Sequence, residues 1–369
     1  MNTLPVNSKV GLVQRVFPSY RSDFFEALGQ SCTLSFFSGK PRPSENINQI
    51  NFLQNGQYIP GKNIHLFNGK FYLCYQRGLM RWLKQFEPEV LILEANPRYL
   101  SSYNAIRWMH QHGKAVIGWG LGAPVKESAL ALVRQWFFDQ FDALITYSKQ
   151  GAAQLEALGV KKESVFVAVN ATTAKPTHAL PERPSFFQGK PVVLFVGRLQ
   201  ARKRIDQLIL ACQALPENLQ PELLIVGEGP ERANLESLAQ SNYPKTQFLG
   251  EKYGDDLAEI FRQADLFILP GTGGLAIQQA MSYGLPVIAA EADGTQANLV
   301  RPANGWLITP GNQKELTEIL LTALSDPAKL HQMGKTSYNI VSEEVNIEAM
   351  VQVFLQAIAY VQKKQSGLI

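Results

Sequence analysis

The chain has 369 residues, 46% of them hydrophobic and 18% charged, a composition that excludes disordered and collagen-like classes. That length suits two domains better than a single core. A formal charge of +4 without a dense basic stripe argues against nucleic-acid binding and leaves a phosphorylated small molecule or an anionic membrane surface to meet the excess cations. Cys32, Cys74 and Cys212 are odd in number and widely spaced, so they read as reduced, buried thiols rather than metal ligands. No apolar run approaches a membrane span and no signal-peptide core is visible, so the expected location is the cytoplasm, with the inner face of the membrane as a variant.

Apolar strands alternate with amphipathic helices along the first half. The patterning predicts strands over 9–16, 33–37, 90–93, 115–118, 143–147 and 164–167, and helices over 22–29, 71–85, 101–111, 125–138 and 149–158. Uniformly apolar strands suit a parallel sheet covered on both faces. Residues 39–65, rich in Asn, Gln, Pro and Gly, read as an irregular excursion. Pro176, Pro181 and Pro184 mark a linker over 173–190. A second α/β series follows, with strands over 192–196, 223–226, 247–249, 266–269, 287–289 and 306–308, and helices over 205–214, 231–239, 256–264 and 275–283. The expectation is α/β throughout, in two Rossmann-like doubly wound domains facing across a cleft. They would span 1–172 and 191–344, with ligands outside the carboxyl ends of the strands.

The most informative stretch is Pro270-Gly271-Thr272-Gly273-Gly274-Leu275. A buried strand that empties through glycines into a helix amino terminus makes an anion site, since the first turn has unpaired N–H groups and a partial positive charge. Packing alone also produces such turns. Gly197-Arg198 and Lys203 follow an earlier strand of the same half. They read either as a solvated basic loop or as a clamp on a departing diphosphate, and their place opposite the glycine turn favours the clamp.

These pieces occur with Gly227-Glu228-Gly229-Pro230, Phe248-Leu249-Gly250, Ala264-Asp265-Leu266-Phe267 and Ala280-Met281-Ser282-Tyr283-Gly284-Leu285-Pro286-Val287-Ile288. In this order they resemble retaining GT-B glycosyltransferases of family 4 (glycosyltransferase group 1 type). The resemblance covers 192–311 closely and the first half loosely, through 143–148 and Asn170-Ala171. It implies that the second domain binds a nucleoside diphosphate sugar based on UDP or GDP, as substrate and not cofactor. The first domain would hold a hydroxyl acceptor on a glycan or lipid-linked glycan, with the last segment, 345–369, crossing back onto it. Transfer would retain anomeric configuration without a metal ion, in polysaccharide biosynthesis. Arg198 and Lys203 would contact the diphosphate and stabilise its departure. Gly197, Gly229, Gly273, Gly274 and Leu275 would line the donor, Phe248 and Gly250 would lie along the base, and Gln279 near the ribose.

Gly271 and Gln279 stand where the family usually carries glutamates, and Gly120 where many members carry a histidine. Gln279 still accepts and donates hydrogen bonds, whereas Gly271 supplies no carboxylate. A catalytically silent homologue acting as an assembly partner is therefore a second expectation. A nucleotide-sugar epimerase has no supporting carboxylate arrangement. The five histidines (His65, His110, His112, His178, His331) read as surface or linker, and Asp255-Asp256 as a helix cap rather than a metal pair.

In the first domain, Arg15 and Arg21 follow the first strand, and Glu94, Asn96 and Arg98 follow the strand over 90–93. Arg21 opens a helix, where a cation is misplaced unless it meets phosphate, so it is a donor or acceptor phosphate contact or else a surface arginine. Arg15, Asn96 and Arg98 are grouped with it, and Glu94 is either a base toward the acceptor hydroxyl or a structural hydrogen-bonding group. The stretches 71–84 and 132–138 mix aromatics with cations and read either as core packing or as interfacial membrane helices.

Overall fold

The computed structural model describes residues 8–45, 47–122, 130–292 and 295–368. They form two compact units, one running to Ala174 and resuming at Ile347, the other spanning Lys175–Asn346.

The strands of the first unit are β1 (Lys9–Gln14), β2 (Thr33–Ser38), β3 (Gln57–Pro60), β4 (Lys62–Leu66), β5 (Leu73–Arg77), β6 (Val90–Glu94), β7 (Ala115–Gly120), β8 (Ala143–Thr146) and β9 (Val165–Val167). Its helices before the crossing to the second unit are α1 (Ser22–Gly29), α2 (Leu79–Phe86), α3 (Leu100–Gln111), α4 (Leu130–Phe138) and α5 (Lys149–Ala157). A sheet in the order β3-β2-β1-β6-β7-β8-β9 is parallel at every pair. Alternate residues of its strands enter two different cores, as the period-two geometry requires. Val10, Leu12, Ile92 and Ile117 face α1 and the last helix, while Val13, Leu91, Leu93 and Val116 face α2 and α3.

In the second unit the strands are β10 (Val192–Val196), β11 (Glu222–Val226), β12 (Thr246–Gly250), β13 (Leu266–Leu269), β14 (Val287–Ala290) and β15 (Gly305–Ile308). The helices are α6 (Ile205–Gln213), α7 (Arg232–Asn242), α8 (Gly254–Gln263), α9 (Leu275–Ser282), α10 (Gln296–Leu299), α11 (Gln313–Leu324) and α12 (Pro327–Asn339). The sheet order β12-β11-β10-β13-β14-β15 is again all parallel. It reverses direction between β10 and β13, the switch point at which neighbouring crossovers leave on opposite faces and open a crevice.

The closing helix, α13 (Ile347–Gln365), returns to the first unit. Met350, Phe354, Ala357, Ile358 and Val361 repeat at helical spacing and are all buried. The Phe354 ring lies 4.8 Å from Phe24 and 4.9 Å from Trp119. Each large apolar side chain buried this way contributes roughly 1.5–3 kcal/mol.

Several expectations are corrected. The excursion over 39–65 contains β3, which extends the main sheet, and β4, which starts an antiparallel hairpin. The helix over 71–85 is instead β5 followed by α2, split at Gly78, whose φ of 99° a helix cannot continue through. The helix over 125–138 is described only from Leu130; its start lies outside the described residues. Helices α10 to α12 were not expected. Asp326 and Asn312 cap α12 and α11 by accepting from Lys329 and Glu315 N–H groups. Asp255 and Asp256 lie inside the first turn of α8, which Tyr253 opens without a side-chain cap, so they act on the helix dipole. His331 is buried rather than exposed, with Nε2 3.1 Å from Asp265 Oδ1 and Nδ1 2.5 Å from the Pro184 carbonyl oxygen.

The proline-rich stretch is bonded into the second unit from His178 onward, where Tyr338 Oη donates to the His178 carbonyl at 2.7 Å and the His178 ring stacks on Tyr283. The Arg183 guanidinium donates to the carbonyls of Ala264, Tyr283, Gly284, Phe261 and Arg262, satisfying groups that the ends of α8 and α9 leave open. Arg183→Ala is expected to lower unfolding stability by about 2–4 kcal/mol, because buried carbonyls lose a charged donor. A urea-unfolding midpoint within error of the parent would show that water replaces it without cost.

Candidate active site

At the β10–β13 switch point the loops are stitched together by one main-chain and one side-chain hydrogen bond. Thr272 N–H donates to the Arg202 carbonyl at 3.1 Å, and Arg202 Nη1 donates back to Thr272 Oγ1 at 3.1 Å. Gly271 is buried beneath this seam. A side chain there would overlap the Arg202 carbonyl oxygen and stand 2.6 Å from the Lys203 carbonyl carbon. Glycine at 271 is thus demanded by the close approach of two loops.

Gly273 has φ 138°, a conformation that L side chains rarely adopt, and the place of its missing Cβ is taken by the Lys203 ammonium. Lys203 is half-buried, and its pKa is pushed down to about 8, first by burial and second by the neighbouring Arg202 charge. A cation held this way gains most from an incoming anion. Gly274 follows as the N-cap of α9 and offers no side-chain acceptor, which leaves the first-turn N–H groups to a ligand. Leu275 opens the helix and is exposed, and Arg198 stands exposed on the β10 loop.

Gln296 completes this end of the site, and sequence reasoning missed it. Its Nε2 donates to the Gly273 carbonyl at 2.9 Å, fixing the glycine turn. The side chain is 3% exposed, yet Oε1 has no partner among the described residues. An orphaned buried acceptor at such a turn costs stability unless a ligand donor meets it. The only sequence signal was a polar residue at the mouth of a short helix, too weak to single out.

The remaining residues expected to line the donor fall around the same strand ends. Gly197 N–H bonds the Val226 carbonyl at 3.0 Å, Leu199 N–H bonds the Glu228 carbonyl at 2.9 Å, and Gly227 N–H bonds the Gly250 carbonyl at 2.8 Å. A side chain at Gly229 would overlap the Leu199 carbonyl oxygen, so packing accounts for that glycine. Phe248 and Gly250 are half-buried at the end of β12. Within α9, Gln278 is buried and donates to the Val345 carbonyl, while Gln279 is half-buried.

In the first unit, Arg15, Arg21, Glu94, Asn96 and Arg98 collect at the corresponding switch point, between β1 and β6. Arg21 is 8% exposed, so its reading as a surface arginine is corrected. Its guanidinium lies 4.7 Å from the Trp119 ring centroid and 5.1 Å from that of Tyr147, with Nη2 donating to Tyr147 Oη at 3.1 Å. Nη1 is buried and has no partner among the described residues. Burial pushes the Tyr147 hydroxyl up to about 12 despite the Arg21 charge, so it stays protonated.

Glu94 Oε2 accepts the Arg15 N–H at 2.7 Å, and burial pushes this carboxyl above its usual range against the pull of that bond and of Arg15 and Arg21. The Arg15 guanidinium itself pairs with Glu45 at 2.8 Å, which spends its charge inside the protein. Asn96 Oδ1 accepts the Arg98 N–H at 3.1 Å in a local turn, and the Arg98 side chain is exposed. Gly120 ends β7. Of this group, Arg21 combines a buried guanidinium with a donor that has no hydrogen-bond partner among the described residues.

Comparisons with known proteins agree with this architecture. Residues 178–340 match the family model described as glycosyl transferases group 1. Over 130 residues the chain is 38% identical to the GDP-mannose-dependent alpha-mannosyltransferase of Mycobacterium tuberculosis (strain CDC 1551 / Oshkosh), covering 34% of this chain and 32% of that one. The chain thus spans about a third of the length of that relative. Sucrose-phosphate synthase from Thermosynechococcus elongatus is similar in structure, with TM-score 0.70 at 20% identity over 97% of this chain and 100% of that one. Anabaena HepE in complex with UDP gives TM-score 0.68 at 16% identity, over 95% and 99%. The chain therefore has the GT-B fold, and its second unit carries the region that matches glycosyl transferases group 1.

Proposed function

We propose that this protein transfers a glycosyl group from a nucleoside diphosphate sugar to a hydroxyl acceptor, with the second unit holding the donor and the first the acceptor. The observation that carries this reading is the Lys203 ammonium seated in the notch of Gly273, beside the uncapped start of α9. A diphosphate there would meet Lys203, Arg198 and the helix N–H groups together. As the bond from the anomeric carbon to the diphosphate oxygen breaks, these donors take up the charge that develops on the leaving group. The acceptor oxygen forms the new bond, and its proton passes to a diphosphate oxygen. With glycine at 271 and Glu94 bonded to the Arg15 backbone, the leaving group itself is the base the site supports best. Retention of configuration agrees with attack from the leaving-group face, and charge neutralisation is assigned to Arg198 and Lys203 rather than to a metal ion.

The similar proteins bracket the base, since one is named for GDP-mannose and another was solved with UDP. A thermal-shift panel of UDP, GDP, ADP and their sugar conjugates, followed by donor hydrolysis without acceptor, tests the reading. The right nucleotide at a hundred times its Kd stabilises by about 2.7 kcal/mol, and its sugar conjugate is slowly hydrolysed. No shift with any nucleotide would leave a silent GT-B homologue as the better account.

A further inference from the structure

The hairpin β4–β5 is built inside out. It is antiparallel, with Lys62 opposite Arg77, Asn63 opposite Gln76, Ile64 opposite Tyr75, His65 opposite Cys74 and Leu66 opposite Leu73. Antiparallel hairpins on a protein surface ordinarily turn apolar residues inward and polar ones to water. Here the inward face is the polar one. Asn63 Nδ2 donates to the carbonyls of Arg15 and Lys40 at 2.7 and 2.9 Å, and Gln76 Nε2 to that of Gln14 at 3.0 Å. His65 Nδ1 lies 3.0 Å from Tyr72 Oη.

The outward face runs from the cations Lys62 and Arg77 at the base through Ile64, Tyr75 and Leu66 to Phe67 and Phe71 at the tip. Phe67 is 69% exposed and Phe71 80%. Phe67 is held at φ 57°, outside the comfortable range for a phenylalanine. Arg42 braces the turn by donating to the Phe67 carbonyl and to Asn68 Oδ1 at 3.4 and 3.1 Å, its guanidinium 4.4 Å from the Tyr72 ring. An open groove of about 730 Å³ runs past Phe67, Phe71 and Leu73 to Arg98.

An exposed apolar surface kept at the expense of backbone comfort marks an interaction site. Its charge selects the partner: residues 62–77 contain Lys62, Lys70 and Arg77 and no aspartate or glutamate. We infer that the β4–β5 hairpin is a wedge for an anionic lipid surface, its phenylalanine tip entering the interface while its basal cations meet headgroup phosphates. Its bonds to Gln14 and Arg15, and that of Cys74 N–H to the Arg98 carbonyl at 2.9 Å, set it along the carboxyl ends of β1 and β6. Membrane contact therefore occurs beside the proposed acceptor end, as a lipid-borne acceptor requires. The expected stretch 71–84 divides: its first part, Phe71–Arg77, belongs to the hairpin, and α2 buries Leu79, Trp82 and Leu83. In 132–138, Phe137 and Phe138 are buried while Leu132, Val133 and Trp136 stay exposed.

The test is co-sedimentation of the full chain with vesicles of phosphatidylcholine alone and with about 30% phosphatidylglycerol, over a range of salt. Binding is expected to the anionic vesicles and to weaken with salt. Phe67→Asn with Phe71→Ser, the asparagine chosen to tolerate the left-handed turn, is expected to cut binding at least about tenfold without moving the unfolding midpoint. Lys62→Gln with Arg77→Gln keeps the tip and is expected to lose about fivefold per cation. Donor hydrolysis in solution is expected to stay unchanged in both variants, so failure here is separable from failure of the transfer reading. Absence of binding to anionic vesicles, or equal binding by the phenylalanine variant, would overturn the inference. A solution dimer that the phenylalanine variant dissociates would reassign the face to a second copy of the chain.

Discussion

Lys203→Ala is expected to lower glycosyl transfer by roughly a hundred- to a thousandfold, the scale for losing one donor that acts on transition-state charge. Arg198→Ala is expected to fall in the same range, though nothing seats its side chain as firmly as the Gly273 notch seats Lys203. The pH profile gives the assignment a second readout. The Lys203 amine, held at about 8 by burial and by Arg202, is charged below that pH and neutral above it. Turnover per donor encounter should therefore fall as pH rises through about 8, and Lys203→Ala should lack that alkaline limb. The stability dependence runs the other way. The folded value lies below the ordinary 10.5, so the unfolded chain holds the proton more tightly, and lysine charging costs the fold less as pH rises from about 8 toward 10.5. Near-normal turnover in both alanine variants would remove the diphosphate clamp from the mechanism.

Gly271→Glu, which restores the carboxylate that the family resemblance leads one to expect, is expected to damage the protein rather than improve it. The new side chain would begin against the Arg202 carbonyl and the Lys203 backbone, inside the seam that Thr272 and Arg202 close with two hydrogen bonds. Opening that seam costs about 2–4 kcal/mol in an overpacked buried position and displaces Lys203 from Gly273. Turnover should fall with stability, measured by urea unfolding alongside the initial rate. A stable variant with faster transfer would show that the loops yield and that only the carboxylate is missing. Gly271 and Lys203 thus form one device: the close packing that forbids a side chain at 271 also positions the ammonium at 273.

The strands and the glycine turn were legible because their signals are local. Four to six apolar residues followed by glycine read the same whatever surrounds them, and β10 and β13 lie where the patterning placed them. The expectation for 71–85 failed because Tyr72, Tyr75, Leu79, Trp82 and Leu83 also fit a helical stripe. Gly78 outweighed that spacing through a backbone conformation that no helix continues.

The sequence by itself determined the α/β alternation, two sheets of buried parallel strands, and a glycine-lined helix start with cations near it, since each follows from residue spacing and backbone chemistry within one segment. Only the tertiary structure decided which glycines are conformational and which are steric, that Gln296 fastens the turn from far along the chain, and that Arg21 is buried with a donor unpartnered among the described residues. It also decided the facing of the β4–β5 hairpin. Alternation in a strand specifies two faces and not which one turns inward. Here that choice fell to the carbonyls of Gln14 and Arg15 at the end of β1, which accept from Gln76 and Asn63, draw them inward and leave the apolar face outside.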